Sequence, residues 1–200
     1  MIKQAPDTPQ NETQRLAALH ALQVLDTPND SAFERMTQLA RDLFNVPVAL
    51  VSLIDQERQW FKSHQGLEVR ETERAVSFCA HAIAQDAPLV IEDTHTDERF
   101  ADNPLVTDSP HIRFYAGCPI RPLQGMAVGT LCIIDHQPRT FSERDLKLLN
   151  NLAGQVEELL RQHKLQIELT QTASKMQKEQ KLLKVLHQGI TDYQALMSGK

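Results

Sequence analysis

The chain has few of the features that mark nucleic-acid-binding or membrane-spanning proteins. Its 200 residues carry a formal net charge of −5 without a basic cluster, which argues against contact with the phosphate backbone of DNA or RNA. The longest apolar run, residues 46–54, contains Pro47 and is too short to cross a bilayer. We therefore expect no nucleic-acid partner and no membrane contact by this chain.

Cysteines and targeting signals are also sparse. The three cysteines are irregularly spaced, which fits reduced thiols better than disulfides or a metal site. Residues 1–10 are polar and proline-bearing, so they predict a flexible lead without the apolar core of a signal peptide. We expect a cytoplasmic protein that binds no metal. A serine nucleophile elbow and a phosphate loop are absent as well, which favours binding over catalysis.

Helical periodicity marks the first part of the chain. Leucines recur after Asn11 and Thr13, either of which can cap a first helix. A second helix follows with Thr27 as its predicted cap and Pro28 in its first turn, and it runs through Phe44. The domain is therefore predicted to open with two amphipathic helices.

Short strands follow the two helices. Residues 47–54 are apolar at nearly every position, so they predict a strand that is covered on both faces. Further strands are predicted at residues 58–63, which we assign to a sheet edge, and at 89–92, 113–120 and 128–135. Ser77 can cap a short helix through Ala84, and a helical turn is expected at residues 98–102.

The pattern changes at Ser142, where a variant of the capping box opens a helix that no proline interrupts. Its first half carries a broad apolar stripe that suits packing on a domain core. Beyond a shift of the stripe at residues 163–165, apolar residues recur every seven positions at Leu169, Met176, Leu183 and Ile190. A narrow seam of this kind predicts a partner helix, and hence a homodimer.

Six side chains could converge on one cavity according to these elements: Cys79, His81, Asp93, Arg113, Tyr115 and Cys118. Each also has a plainer interpretation. Cys79 is either a thiol activated at a helix N-terminus or a small buried hydrophobe. His81 can be satisfied by local hydrogen bonds, Asp93 and Asp97 can act as caps, and Arg113 with Tyr115 fits an anionic ligand or a structural ion pair equally well.

The ordered motifs LDTP, FERMTQLA, VALVSLID, RQWFK, SFCAHAI, EDTHTDERFADNPLV, IRFYAGCPI and GTLCIID resemble a GAF domain of the bacterial signalling type. The resemblance implies an α+β fold with an antiparallel sheet of about six strands, helices on both faces, and a long C-terminal signalling helix. It also implies a pocket beneath residues 77–112, to which Phe78 and Phe100 are added as lining residues. Signatures for cyclic nucleotides or bilins do not match, so no cofactor is assigned.

Three function classes follow from this reading. The first is a sensory module, residues 11–161, which binds a small molecule or partner and signals through a helical linker, residues 162–200. Its output enzyme, a histidine kinase or diguanylate cyclase, would lie outside the chain. The second is a dimerisation or interaction module without a ligand. The third is a thiol-dependent reductase, disfavoured because Cys79 has no sequence-evident base or resolving cysteine.

Overall fold

The computed structural model describes residues 4–199, so part of the lead predicted for residues 1–10 and the last residue of the predicted linker lie outside the described residues. Six strands form one antiparallel sheet in the order β3-β2-β1-β6-β5-β4. The strands are β1 (Val48–Ile54), β2 (Arg58–Gln65), β3 (Glu71–Glu73), β4 (Leu89–Ile91), β5 (Phe114–Ile120) and β6 (Gly129–Asp135). The predicted α+β class and six-stranded antiparallel sheet are confirmed.

Helices cover both faces of this sheet. They are α1 (Glu12–Ala21), α2 (Ser31–Phe44), α3 (Phe78–Gln85), α4 (Pro104–Thr107) and α5 (Glu143–Ser198). One hydrophobic core joins α1, α2 and the first part of α5 to one face of the sheet. A second core lies on the other face, beneath α3 and α4. All seven residues of β1 are buried because that strand lies between the two cores.

Side-chain caps mark where α2, α3 and α5 begin. The Ser77 hydroxyl accepts a hydrogen bond from the Ala80 N–H at 3.0 Å, as predicted for α3. Before α5, Ser142 and Asp145 bond to each other's backbone N–H groups, which confirms the capping box. The predicted cap of α2 is wrong. Its first turn is capped by the Asp30 carboxylate, while the Thr27 hydroxyl donates to the Val24 carbonyl.

The sequence pattern missed three short elements. β3 pairs with β2 and takes the sheet edge, so the prediction of an edge strand at residues 58–63 is wrong and β2 is an inner strand. A 3₁₀ turn, Arg74–Val76, leads into α3, and α4 is a single turn capped by Asn103. Each is only three or four residues long, which is too short for periodicity to distinguish it from a loop.

The C-terminal helix α5 contains 56 residues. The chain divides into two compact units, one up to Arg161 and one from Gln162 onward. In the first unit, Leu149, Ala153, Val156 and Leu160 are buried in the domain core. In the second unit, every side chain of residues 168–199 is exposed. Among the described residues, no helix is long and apolar enough to cross a membrane.

Candidate functional site

A cavity of about 500 Å³ lies on the sheet face that carries α3. Its floor is the face of the sheet, one wall is the first turn of α3, and the other walls are two loops. Its lining residues are Leu50, Gln59, Phe61, Gly66, Leu67, Glu68, Val69, Glu71, Thr72, Phe78, Cys79, Leu105, Ser109, Pro110, Ile112, Tyr115, Ile134 and His136. A volume of this size holds a compound the size of a heterocycle.

Aromatic rings form the inner wall of the cavity. Phe78, the first residue of α3, stacks on Tyr115 from β5 with ring centroids 5.2 Å apart. Behind it, Phe100 stacks on Phe78 at 4.3 Å. All three side chains are buried, so the wall is rigid and apolar, which suits contact with a flat ligand.

The polar groups of the cavity are few. Ser77, the cap of α3, donates a hydrogen bond to the Gln59 side chain and so fixes its amide near the cavity. The Thr72 hydroxyl oxygen is buried without a hydrogen-bond partner among the described residues. At the mouth, Glu68 and His136 are exposed. A ligand here would meet an apolar interior, a hydroxyl in need of a partner, and an acidic group at the opening.

Cys79 brings a thiol to the inner end of the cavity. The Tyr115 hydroxyl donates a hydrogen bond to its sulfur at 3.3 Å. Burial alone would raise the pKa of Cys79, but the thiol of Cys132 and the nearby hydroxyls of Thr130, Tyr115 and Ser52 outweigh burial and lower it. Burial raises the pKa of Tyr115 well above its usual value, and the neighbouring Cys79 raises it further, so the phenol stays protonated and able to donate.

Three of the eight predicted site residues therefore line this cavity: Phe78, Cys79 and Tyr115. The prediction that Cys118 joins them is wrong in placement. Cys118 lies three residues after Tyr115 on the same strand, so its side chain points to the opposite face. There it is packed in the core beneath the other helices, and burial raises its pKa to about 12.

His81 and Phe100 also lie off the cavity. The two rings meet edge to face with centroids 4.8 Å apart, behind Phe78. Burial, and then the charge of Arg99, lowers the pKa of His81, which favours the neutral imidazole. Phe100 supports the aromatic wall from behind, and His81 is a buried residue that packs against it.

Asp93 and Arg113 form an ion pair away from the cavity. Two guanidinium nitrogens of Arg113 lie within 3.1 Å of the Asp93 carboxylate, and this hydrogen bonding is the main cause that lowers the pKa of Asp93. Asp93 also accepts from the His95 N–H, as a turn cap would. Because the Arg113 guanidinium is paired with Asp93 outside the cavity, it does not favour an anionic ligand in the cavity.

Most of the cavity's remaining lining came from residues that the sequence did not single out. Leu50, Phe61 and Ile134 each lie on a strand. Because side chains along a strand point alternately to the two faces of the sheet, this alternation could have assigned them to the cavity face. The loop residues 66–69 and 109–110 carry no such signal. Among the described residues, no group of three or more His, Cys, Asp or Glu side chains is placed to hold a metal ion.

Comparison with known proteins identifies the fold that builds this cavity. The GAF domain family profile matches residues 28–160. The chain belongs to the GAF domain family. GAF domains are sensory regulatory modules, and the predicted resemblance is confirmed. This GAF domain keeps the family's sheet and C-terminal helix, and its cavity lies between the sheet and α3.

This GAF domain is similar to known bacterial proteins. It is 41% identical over 149 residues to the cyclic di-GMP phosphodiesterase PA2567 of Pseudomonas aeruginosa, covering 74% of this chain and 25% of that protein. The chain thus spans about a quarter of that relative's length. Among solved structures, it is similar to the GAF domain of an Acinetobacter phosphoenolpyruvate-protein phosphotransferase, with a TM-score of 0.55 and 18% identity over 80% of this chain and 98% of that one.

A second solved structure has the same fold. A domain of a two-component sensor histidine kinase protein from Sinorhizobium meliloti matches with a TM-score of 0.54 and 14% identity. The match covers 70% of this chain and 96% of that one. At this level of identity the similarity concerns the fold alone.

Proposed function

We propose that this GAF domain is a regulatory sensory module that binds a small molecule in the 500 Å³ cavity. The cavity itself carries the proposal, because it combines an apolar interior with few polar groups. The buried Thr72 hydroxyl supports a ligand with a hydrogen-bonding edge. Glu68 at the mouth and the pairing of Arg113 with Asp93 favour a neutral or cationic heterocycle over an anion.

We further propose that the occupied and empty states reach an output domain through α5. The similarity to a cyclic di-GMP phosphodiesterase supports an output that makes or degrades cyclic di-GMP. In this proposal the chain itself is regulatory, and catalysis belongs to the output domain. A ligand changes the output only if it binds two states of the domain with different affinity.

The exposed apolar seam of the second unit supports a homodimer. Leu169, Met176, Leu183 and Ile190 are each more than half exposed, and they recur at the heptad spacing of a two-stranded coiled coil. We assign the same helix of a second copy of the chain, in parallel orientation, as the partner that packs against this seam. Dimerisation without a ligand is the second candidate function, and the same seam favours it.

Native mass spectrometry separates the two functions. We expect the purified wild-type chain to retain a small molecule, visible as a mass above that of the polypeptide. Ile134 is buried against the cavity, so Ile134→Phe should fill part of the space and abolish this retention. Leu39→Phe, at a half-exposed position on α2, is the matched control and should retain it. A wild type that carries no small molecule, purified directly from its native cells, would favour the dimerisation function.

A further inference from the structure

Two sulfur atoms lie close together at the inner end of the cavity. The Sγ atoms of Cys79, on α3, and Cys132, on the central strand β6, are 3.7 Å apart. Both are free thiols, and both are buried. A disulfide has a sulfur–sulfur length of about 2.05 Å, so the sulfurs must approach by about 1.7 Å to bond. Sequence spacing gave no sign of this pair, since 52 residues separate its members.

The surroundings of the pair favour a thiolate on one sulfur. The Tyr115 hydroxyl donates to Cys79 at 3.3 Å. The hydroxyls of Ser52 and Thr130, a cross-strand pair, are fully buried without a hydrogen bond of standard geometry among the described residues. Both nevertheless approach Cys79 closely enough to lower its pKa. A buried sulfur with several hydroxyl groups around it resembles an anion site more than a packing contact.

Access to the two sulfurs differs. Cys79 is part of the cavity lining, whereas Cys132 lies behind it and does not line the cavity. The pKa of Cys132 is raised well above its usual value, first by its hydrogen bond to Cys79 and then by burial. A reagent in the cavity therefore meets Cys79 first, while Cys132 keeps its proton.

We propose that Cys79 and Cys132 form a reactive dithiol that a small hydroperoxide entering the cavity oxidises to an intramolecular disulfide. The Cys79 thiolate attacks the terminal peroxide oxygen, the O–O bond breaks, and the departing alkoxide takes up the proton that Cys79 released on ionising, so it leaves as an alcohol. Cys79 is then a sulfenic acid. The Cys132 sulfur attacks it, the S–O bond breaks, and the hydroxide leaves as water with the Cys132 proton.

The overall change is balanced. Two thiols are oxidised to one disulfide, and one hydroperoxide is reduced to one alcohol and one water. Hydrogen peroxide gives two waters by the same steps. The proposal concerns the thiol pair alone and does not require another small molecule in the cavity. Its consequence for the domain is a covalent link between α3 and β6.

Thiol counting on the whole chain tests this proposal. The native protein is treated with excess hydrogen peroxide, quenched, denatured and alkylated, and a proteolytic digest is analysed without reduction. Two of the three thiols should be lost, with Cys79 and Cys132 in one linked peptide and Cys118 alkylated. Cys118→Ala is the matched control, since Cys118 lies in the opposite core. After peroxide treatment this variant should lose both of its remaining thiols, those of Cys79 and Cys132. Three intact thiols, or any other linkage, would overturn the proposal.

Variants assign the order of attack. In Cys132→Ala, a sulfenic acid should form at Cys79 and be trapped by dimedone, whereas Cys79→Ala should leave Cys132 unreacted. Tyr115→Phe removes only the donated hydroxyl, and we expect thiol loss to be slower by about twofold to tenfold. Dimedone capture at Cys132 instead of Cys79 would contradict the assigned roles. The linked peptide from the wild type decides the proposal even if a variant fails to fold.

Discussion

The side chain of Tyr115 lies directly over Gly117 on the cavity face of β5. A β-carbon added at Gly117 would lie 2.1 Å from the Tyr115 hydroxyl oxygen and 2.7 Å from the ring carbon that carries it. The absence of a side chain at Gly117 therefore lets the phenol fold back along its own strand. In that position the hydroxyl reaches the Cys79 sulfur and the ring stacks on Phe78.

Gly117→Ala should displace the Tyr115 ring. Because the ring is buried in a packed core, we expect the free energy of unfolding to fall by about 1–3 kcal/mol. Reaction of Cys79 with peroxide should also slow, since the hydroxyl leaves the sulfur. Urea unfolding followed by circular dichroism measures the first effect, and thiol counting measures the second.

Gly154→Ala is the matched control for that substitution. A β-carbon at Gly154, inside α5, meets no atom of the described residues within 4 Å. Alanine in a helix interior is more favourable than glycine by about 0.5–1 kcal/mol, so this variant should be more stable than the wild type. A loss of stability at position 154 equal to that at position 117 would show that the Tyr115 contact is not the cause.

Stability should also depend on the ionisation of Glu12. Its carboxylate bonds to the buried Arg15 and to Arg74 at 2.6–2.8 Å. Burial opposes ionisation, but these two guanidinium groups outweigh burial and lower the pKa of Glu12 from 4.5 to about 2. The folded pKa is below the unfolded one, so the stabilisation is present above pH 4.5 and is lost as the pH falls toward 2.

Glu12→Gln tests this dependence. At pH 7 the variant should be less stable than the wild type, and the difference should shrink as the pH falls from 4.5 toward 2. Glu98→Gln, at an exposed carboxylate, is the matched control and should leave the pH dependence unchanged. Thermal unfolding at a series of pH values gives the comparison. A difference between wild type and Glu12→Gln that stays constant down to pH 2 would contradict the role assigned to Glu12.

Dimerisation should depend on the seam of the second unit. Burying a leucine side chain contributes about 1.5–3 kcal/mol, so Leu183→Asp should weaken a dimer by at least tenfold in its dissociation constant. Gln177→Asp makes the same change in charge at an exposed position off the seam and should leave the dimer intact. Analytical ultracentrifugation at tens of micromolar reports both. A monomeric wild type at that concentration would rule out the dimer.

The sequence predicted the fold well because the main elements obey clear periodicities. The apolar run of β1, the Ser77 cap of α3 and the capping box of α5 are local signals, and the structure follows them. The prediction of Thr27 as the cap of α2 is wrong, because the sequence pattern cannot distinguish between several polar residues near the start of a helix. Tertiary contacts select one of them. In the structure Asp30 has that role.

The cavity was harder to predict than the fold. Strand alternation alone separates Tyr115 from Cys118, so that error was avoidable. The pairing of Cys79 with Cys132 was not predictable, because it depends on how α3 lies over the sheet. The loop residues 66–69 line the cavity because the loop backbone runs along it, and the sequence pattern does not predict the course of that loop.

The central claim is that the state of the cavity reaches an output domain through α5. The direct measurement joins residues 1–200 to a diguanylate cyclase and compares the activity of the wild-type fusion with that of the Ile134→Phe fusion. A coupling of about 1–3 kcal/mol predicts a 5- to 150-fold difference. The difference should persist when seven residues are inserted after Leu169 and disappear when four are inserted, since only seven preserve the helix phase. Equal differences at every insertion length would show that α5 is a passive tether.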